Sequence, residues 1–342
     1  MTQQLLFSFA TDSMALNVAL LVAGVIVVLK GADWLTDGAV NIASRFGVSQ
    51  MVIGLTIVAM GTSMPEFCVS MVSALKGTPD LAVGNVVGSN IFNTLLIVGC
   101  SALVAPIVVK PSSVRRDIPF AVAASLLMLV FCLDGTIGRA DAAVLFAGFC
   151  LFLYVTLKYA KAEGSATAAN GAAATTAGGS AATADGAAAT PPQASIAKAA
   201  LLVAVGLVCL IGGSNMFVDN ASAVASRLGV SEAVIGLTIV AGGTSLPELA
   251  TSMVSARKGN SDIAIGNVIG SNVFNILMIV GITGLVQPMH IMGITALDLA
   301  VLAGSVLLLW LFSRTKYAVK RWEGAVLALC YAAYLAWLIA NV

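Results

Sequence analysis

Two short motifs, each present twice, hold the residues best suited to chemistry. Gly61-Thr-Ser-Met-Pro-Glu66 recurs as Gly243-Thr-Ser-Leu-Pro-Glu248. Gly84-Asn-Val-Val-Gly-Ser-Asn-Ile-Phe-Asn93 recurs as Gly266-Asn-Val-Ile-Gly-Ser-Asn-Val-Phe-Asn275. Each glutamate lies inside an apolar run, where a carboxylate costs about 2.5–3.5 kcal/mol on insertion scales. A hydroxyl stands four residues before each acid (Thr62, Thr244) and another four after it (Ser70, Ser252), so one helix face is lined with oxygen. No Lys, Arg or His lies in the same runs to neutralise the acids. Pro65 removes the N–H that would bond the Gly61 carbonyl, and Pro247 the one for Gly243. The kink is expected to loosen neighbouring carbonyls, including those of Ala59 and Ala241. Broken helices at corresponding places in two halves of a membrane chain point to a transport site.

In the second motif Asn85, Ser89 and Asn93 share one helix face, as do Asn267, Ser271 and Asn275. The glycine pairs Gly84/Gly88 and Gly266/Gly270 read as close helix packing. Asn85 and Asn267 suit interhelical hydrogen bonds and ion ligation equally, whereas Ser89, Asn93, Ser271 and Asn275 read as ligands. Two carboxylates, several hydroxyls, amide oxygens and loosened carbonyls form an all-oxygen set. Such a set suits hard cations: Ca²⁺ or Na⁺, with Mg²⁺ and Mn²⁺ also admissible, and it disfavours zinc, copper and iron.

The elements that carry these residues follow from composition. Of 342 residues 59% are hydrophobic and 10% charged, and the mean hydropathy is +1.00. Soluble domains carry about 25% charged residues, so the chain is predicted to be an all-α polytopic membrane protein. Apolar runs predict ten spans, near Met14–Leu29, Met51–Leu75, Leu81–Val104, Ile118–Leu133, Ala142–Leu157, Ala199–Phe217, Ala233–Ala256, Ile263–Val286, Ala296–Phe312 and Gly324–Ala340. Residues 31–107 align without gaps on residues 213–289, with roughly 60% of the paired positions identical. Between the halves (1–160 and 198–342) lies a segment at 161–197, rich in Ala, Gly, Thr and Ser, that reads as a flexible linker. Five spans per half, an odd number, predict two inverted five-helix repeats with broken helices at the midplane. Alternate loops hold 14 of the 17 Lys and Arg residues. The positive-inside rule then places the linker in the cytoplasm and both termini in the periplasm of an inner membrane. Arg45 and Arg227, like Lys76 and Lys258, are repeat partners that fall on opposite sides, as inversion requires.

Other features exclude classes. A net charge of +1 argues against a nucleic-acid partner. Residues 1–10 hold no Lys or Arg and no small-residue cleavage pattern, so no cleavable signal peptide is expected. The six cysteines are scattered in apolar runs without a CxxC or Cys/His cluster, and His290 stands alone in a loop. No nucleophile stands beside a base near either acid, so no enzyme and no cofactor is predicted. The linker holds only Glu163 and Asp185 as acids, too few for a regulatory Ca²⁺ site, and no obligatory protein partner is evident.

The paired GTSxPE and GNxxGSNxFN motifs resemble the α-repeats of the calcium/cation antiporter superfamily, in particular the Na⁺/Ca²⁺ exchangers and their bacterial relatives. The resemblance covers both repeats and the span count. It implies the ten-helix fold with termini outside, and one central Ca²⁺ site flanked by Na⁺ sites. The matching positions are Ala59, Thr62, Ser63, Glu66, Ser89 and Asn93, with Ala241, Thr244, Ser245, Glu248, Ser271 and Asn275. In that family the glutamates bind Ca²⁺ directly, and the hydroxyls and alanine carbonyls serve Na⁺. Some relatives carry Asp where this chain has Asn93 or Asn275. Asp at the second position is linked to K⁺ dependence, so its absence implies that K⁺ is not cotransported. With both glutamates ionised an empty site carries two negative charges, which resist crossing the barrier. One Ca²⁺ or two Na⁺ neutralise them, which favours exchange over uniport, and protons could do the same. A channel would need a continuous pore, for which two broken inverted helices are no basis.

Overall fold

The computed structural model describes residues 9–176, 195–229 and 241–340, with side chains described for these except 161–176 and 241. The described chain is mostly helix. In chain order it forms α1 (Met14–Phe46), α2 (Gln50–Thr62), α3 (Met64–Leu75), α4 (Pro79–Val104), α5 (Ile118–Cys132) and α6 (Arg139–Thr176). After the gap come α7 (Ile196–Arg227), α8 (Ala241–Gly243), α9 (Leu246–Arg257), α10 (Ser261–Val286), α11 (Ala296–Arg314) and α12 (Arg321–Ala340). Local chemistry sets the ends. The Ser13 hydroxyl accepts from Leu16 N to start α1, Gly47 ends it at φ 63°, and Thr295 with Asp298 forms a capping box on α11.

Among the described residues seven helices are long and apolar enough to cross a membrane, or eight if the bent pair α2 and α3 counts as one span. The ten predicted spans are therefore met in part. At 15 residues α5 is too short by itself. It continues a π-helical turn at Ser113–Asp117, a sequence with two arginines that apolar scanning stops short of. The span expected near Ala233–Ala256 falls partly on residues 230–240, outside the described residues. The segment read as linker is in part helix, because α6 runs on to Thr176; its alanines are strong helix formers. Its remainder, 177–194, lies outside the described residues.

Burial sorts the helices into layers. The most apolar window of α10 is 94% buried and that of α4 72%, against 22% for α1 and 17% for α12. The helices carrying the GNxxGSNxFN motifs are thus central, and the peripheral ones turn exposed side chains such as Leu16, Val22, Leu311 and Leu329 outward. α1 and α7 pack antiparallel through glycines: Gly24 faces Gly213, Gly31 faces Gly206, and Gly38 faces Ala199. A Cβ on Gly206 would stand 2.7 Å from the Leu35 nitrogen. Close packing is likewise observed for Gly266 and Gly270, which lie against Met51, Gly54 and Leu55 of α2.

Among the described residues, two clips of antiparallel strand, each two residues long per strand, are additions to the all-α reading. β1 (Ile107–Val108) pairs with β4 (Ala318–Val319), and β2 (Thr136–Ile137) with β3 (Met289–His290). With the polar loop contacts they gather the loops at two ends. At one end stand the β1–β4 clip, the Lys110–Asp262 ion pair (2.6 Å), and Lys258 with Asp33 and Asp37. At the other stand the β2–β3 clip, Asp80 accepting from Met292 and Gly293 N–H, and Arg227 donating to the Thr11 carbonyl. His290 lies in the second clip, 3.3 Å from the Thr136 hydroxyl.

Candidate cation-binding site

The break between α2 and α3 sets the first acid. Ser63 interrupts the helix at φ −83°, ψ 8°, the axes bend by 47°, and Pro65 occupies the first turn of α3, where its missing N–H costs nothing. Ser245 (φ −90°, ψ 7°) and Pro247 repeat this arrangement at the start of α9. Glu66 and Glu248 therefore sit in the first turn after a break, and both are fully buried. The positive end of a helix dipole faces them there.

Each acid is held by the other half of the chain. The Ser63 hydroxyl donates to Glu248 Oε1 at 2.8 Å, and the Ser245 hydroxyl donates to Glu66 Oε1 at 2.9 Å. Thr244 also lies against the Glu66 carboxylate, and Thr62 and Ser271 against that of Glu248. Thr62 donates to Asn267 Oδ1 at 3.2 Å. Asn85 and Asn267 use their amide N–H groups on the backbone of Glu66 and Glu248 and on Ser70 and Ser252. These are the interhelical hydrogen bonds of one of their two readings.

A second group of buried polar side chains comes from α4 and α10. Both helices widen to π geometry, at Phe92–Ile97 and Phe274–Val280, a form that recurs at functional sites. Asn93 and Asn275 lie in these turns. Asn275 donates to the Ser89 hydroxyl at 3.1 Å, and Asn93 donates to Asn272 Oδ1 at 3.2 Å. The π turns and Asn272 were missed in the sequence. Asn272 stands off the four-residue face of Asn267, Ser271 and Asn275, and no residue pattern marks a π turn.

The consequence is a surplus of acceptors. Glu66 Oε2, Glu248 Oε2, Asn93 Oδ1 and Asn275 Oδ1 are all buried without a hydrogen-bond partner among the described residues. An unsatisfied buried polar atom costs about 1–3 kcal/mol. Some hydroxyls and the amide oxygens of Asn90 and Asn220 are unpaired elsewhere. Among the described residues, however, buried unpaired carboxylate oxygens occur only at Glu66 and Glu248. A dehydrated hard cation is the natural partner for such oxygens.

Twelve residues were expected to ligate. Ala59, Thr62, Ser63, Glu66, Thr244, Ser245, Glu248 and Ser271 are drawn together by the contacts around the carboxylates, and Ser89, Asn93 and Asn275 by the amide bonds between α4 and α10. Ala241 opens α8. One detail differs from expectation. The Ala59 carbonyl is not loosened by the kink, because the break lies beyond it and Ser63 N still donates to it at 3.0 Å. Its second lone pair is approached by the Thr62 hydroxyl at 3.3 Å and by the Ser271 hydroxyl at 3.5 Å.

A helical membrane protein with two oxygen-rich broken helices around buried paired acids is the architecture of a cation carrier. Comparison with known proteins agrees. The family model for "Sodium/calcium exchanger protein" matches twice, at residues 16–158 and 198–340. The chain is 32% identical to the sodium/calcium exchanger MaX1 of Methanosarcina acetivorans over 93% of its own length and 97% of that protein's. It is 36% identical to the inner membrane protein YrbG of Escherichia coli, over 80% and 81% of the two chains. Among solved structures it resembles the sodium-calcium exchanger NCX_Mj, with a TM-score of 0.78 at 31% identity, covering 94% of this chain and 98% of that one. The chain belongs to the sodium/calcium exchanger family, and it is a multi-pass membrane cation antiporter rather than an enzyme.

Proposed function

We propose that this chain exchanges Ca²⁺ for Na⁺ across the inner membrane by alternating access. The observation that carries the reading is the pair of buried glutamates, each with one oxygen held by the opposite half and one oxygen unpaired. Ca²⁺ binds between Glu66 and Glu248, with the Asn93 and Asn275 amide oxygens completing its shell. Thr62, Ser63, Ser89, Thr244, Ser245 and Ser271, with the carbonyls of Ala59 and Ala241, serve the Na⁺ ions that replace it. Two carboxylates balance one Ca²⁺ or two Na⁺, so the loaded forms cross and the empty form does not. The carrier comprises ten spans in two inverted halves, 1–160 and 198–342, joined by a cytoplasmic segment, with both termini periplasmic. The family model matching both halves at the same offset supports the duplication, and the 14-to-3 bias of basic residues supports the orientation.

The test is ⁴⁵Ca²⁺ uptake into proteoliposomes driven in turn by Na⁺, K⁺ and H⁺ gradients. Uptake is expected with the Na⁺ gradient alone and without K⁺ on either side. Uptake driven by H⁺ and indifferent to Na⁺ would make the chain a proton-coupled exchanger and overturn the Na⁺ assignment.

A further inference from the structure

Asn93 and Asn275 are repeat partners, yet they are held differently. Asn275 donates to Ser89, itself a residue of the site. Asn93 donates to Asn272 Oδ1 (3.2 Å), and Asn272 in turn donates to the Thr94 hydroxyl (2.7 Å). Asn272 and Thr94 are buried, 2% and 0% exposed. Neither has an equivalent doing the same work in the other half. The repeat partner of Asn272 is Asn90, which bonds back to Val86 of its own helix, and the partner of Thr94 is Ile276.

An amide has one acceptor side and one donor side. With Thr94 taking the Asn272 N–H, Asn272 must turn its oxygen to Asn93. Asn93 must then answer with its N–H, and its oxygen is the end left unpaired. Were Asn272 to rotate, its N–H would face Asn93. Asn93 would then present its own N–H to the site, the wrong end for a cation. We infer that Asn272 and Thr94 are positioning residues: a two-step hydrogen-bond relay that fixes the Asn93 oxygen toward the bound Ca²⁺. The inference rests on the proposed cation site.

Ligand-orienting partners outside the first layer typically change metal affinity by about 10–100-fold. Thr94→Val keeps the shape and deletes the acceptor. It is expected to raise half-saturating Ca²⁺ about tenfold with little change in maximal uptake per folded carrier. Thr94→Ser, which keeps the hydroxyl, should restore the wild-type value, and Ile276→Thr should leave it unchanged. Direct ⁴⁵Ca²⁺ binding to the detergent-solubilised protein gives the same readout without transport, and Thr94→Ala substitutes if Thr94→Val does not accumulate. Wild-type half-saturation in Thr94→Val or Thr94→Ala, or a defect that Thr94→Ser shares equally, overturns the relay. Glu66→Gln measured alongside separates the two failures. If it loses binding while Thr94→Val does not, the site stands and the relay falls; if neither loses binding, the site itself is misplaced.

Discussion

At the residue scale, each glutamate divides its carboxylate. One oxygen accepts from the serine at the break in the other half, and the second has no hydrogen-bond partner among the described residues. The serine bond fixes the orientation, and the unpaired oxygen is the one that, in the proposed function, would meet a cation. Glu66→Gln and Glu248→Gln keep the size and remove half of the charge that a divalent ion needs. A charge-assisted contact contributes about 1.5–3 kcal/mol, so either change is expected to weaken Ca²⁺ at least about tenfold and nearly abolish uptake while the protein stays folded. Asn93→Ala and Asn275→Ala each remove a proposed neutral ligand and should cost less. Uptake by the four variants at matched protein density checks the order. Near-normal transport in both glutamine variants would remove the site.

At the element scale, tight approach does what side-chain bulk does in soluble cores. α1 and α7 meet along glycines because lipid gives apolar side chains little reason to prefer each other, and backbone contact supplies the dispersion instead. Gly206 and Gly212 sit on the same helix and make opposite predictions. A Cβ at Gly206 would meet the Leu35 nitrogen and the Gly31 carbonyl at 2.7 and 2.9 Å, whereas none of the described residues lies within 4 Å of one at Gly212. Gly206→Val should therefore destabilise the carrier by about 1–3 kcal/mol through overpacking. Gly212→Ala should be neutral or slightly stabilising, since Ala is the better helix former. Melting temperatures of the two variants in detergent decide it, and equal effects would mean that the glycine seam is not where α1 meets α7.

At the scale of the whole molecule, the informative feature is where repeat symmetry fails. Asp262 bonds Lys110 at one end, and its repeat partner Asp80 bonds the backbone of Met292, the partner position of Lys110, at the other. That contact is made at both ends. Lys258 pairs with Asp33 (3.1 Å) and Asp37 (2.8 Å), but the equivalent pairing of Lys76 with Asp219 is not made among the described ion pairs. Asp219 instead accepts from Phe9 N at the far end of α1. Burial lowers the Lys258 pKa, but the bonds and charges of Asp37 and Asp33 outweigh it and the net shift is upward. The contribution of the pair is therefore complete below the ordinary lysine pKa and is lost only as pH rises through the raised value. The pair is thus insensitive to pH across the neutral range. If the two halves exchange conformations during turnover, Lys76 meets Asp219 as Lys258 leaves Asp37. In a carrier lacking its six native cysteines, Lys258→Cys with Asp37→Cys and Lys76→Cys with Asp219→Cys should cross-link in opposite states, selected by the Na⁺ and Ca²⁺ gradients. Simultaneous cross-linking of both pairs would show that they do not alternate.

Much of this was legible in the sequence because membrane chains advertise their constraints. Lipid demands long apolar runs, so span positions appear as hydropathy. A buried acid is costly, so Glu66 and Glu248 stand out. Duplication prints the site twice. What composition and spacing cannot express is partnership across the halves. That Ser63 serves Glu248 and not its neighbour Glu66 is decided by how the two broken helices cross. That Asn85 and Asn267 bond backbone while Asn93 and Asn275 keep free oxygens depends on which amide end meets a donor. The π turns, and the relay from Thr94 through Asn272, exist only once α4 and α10 are packed together. Nearly identical motifs thus share some surroundings, such as the serine–glutamate bonds, and differ in others, such as the bonds of Asn272 and Asn90, because the residues packed around them are not all repeated.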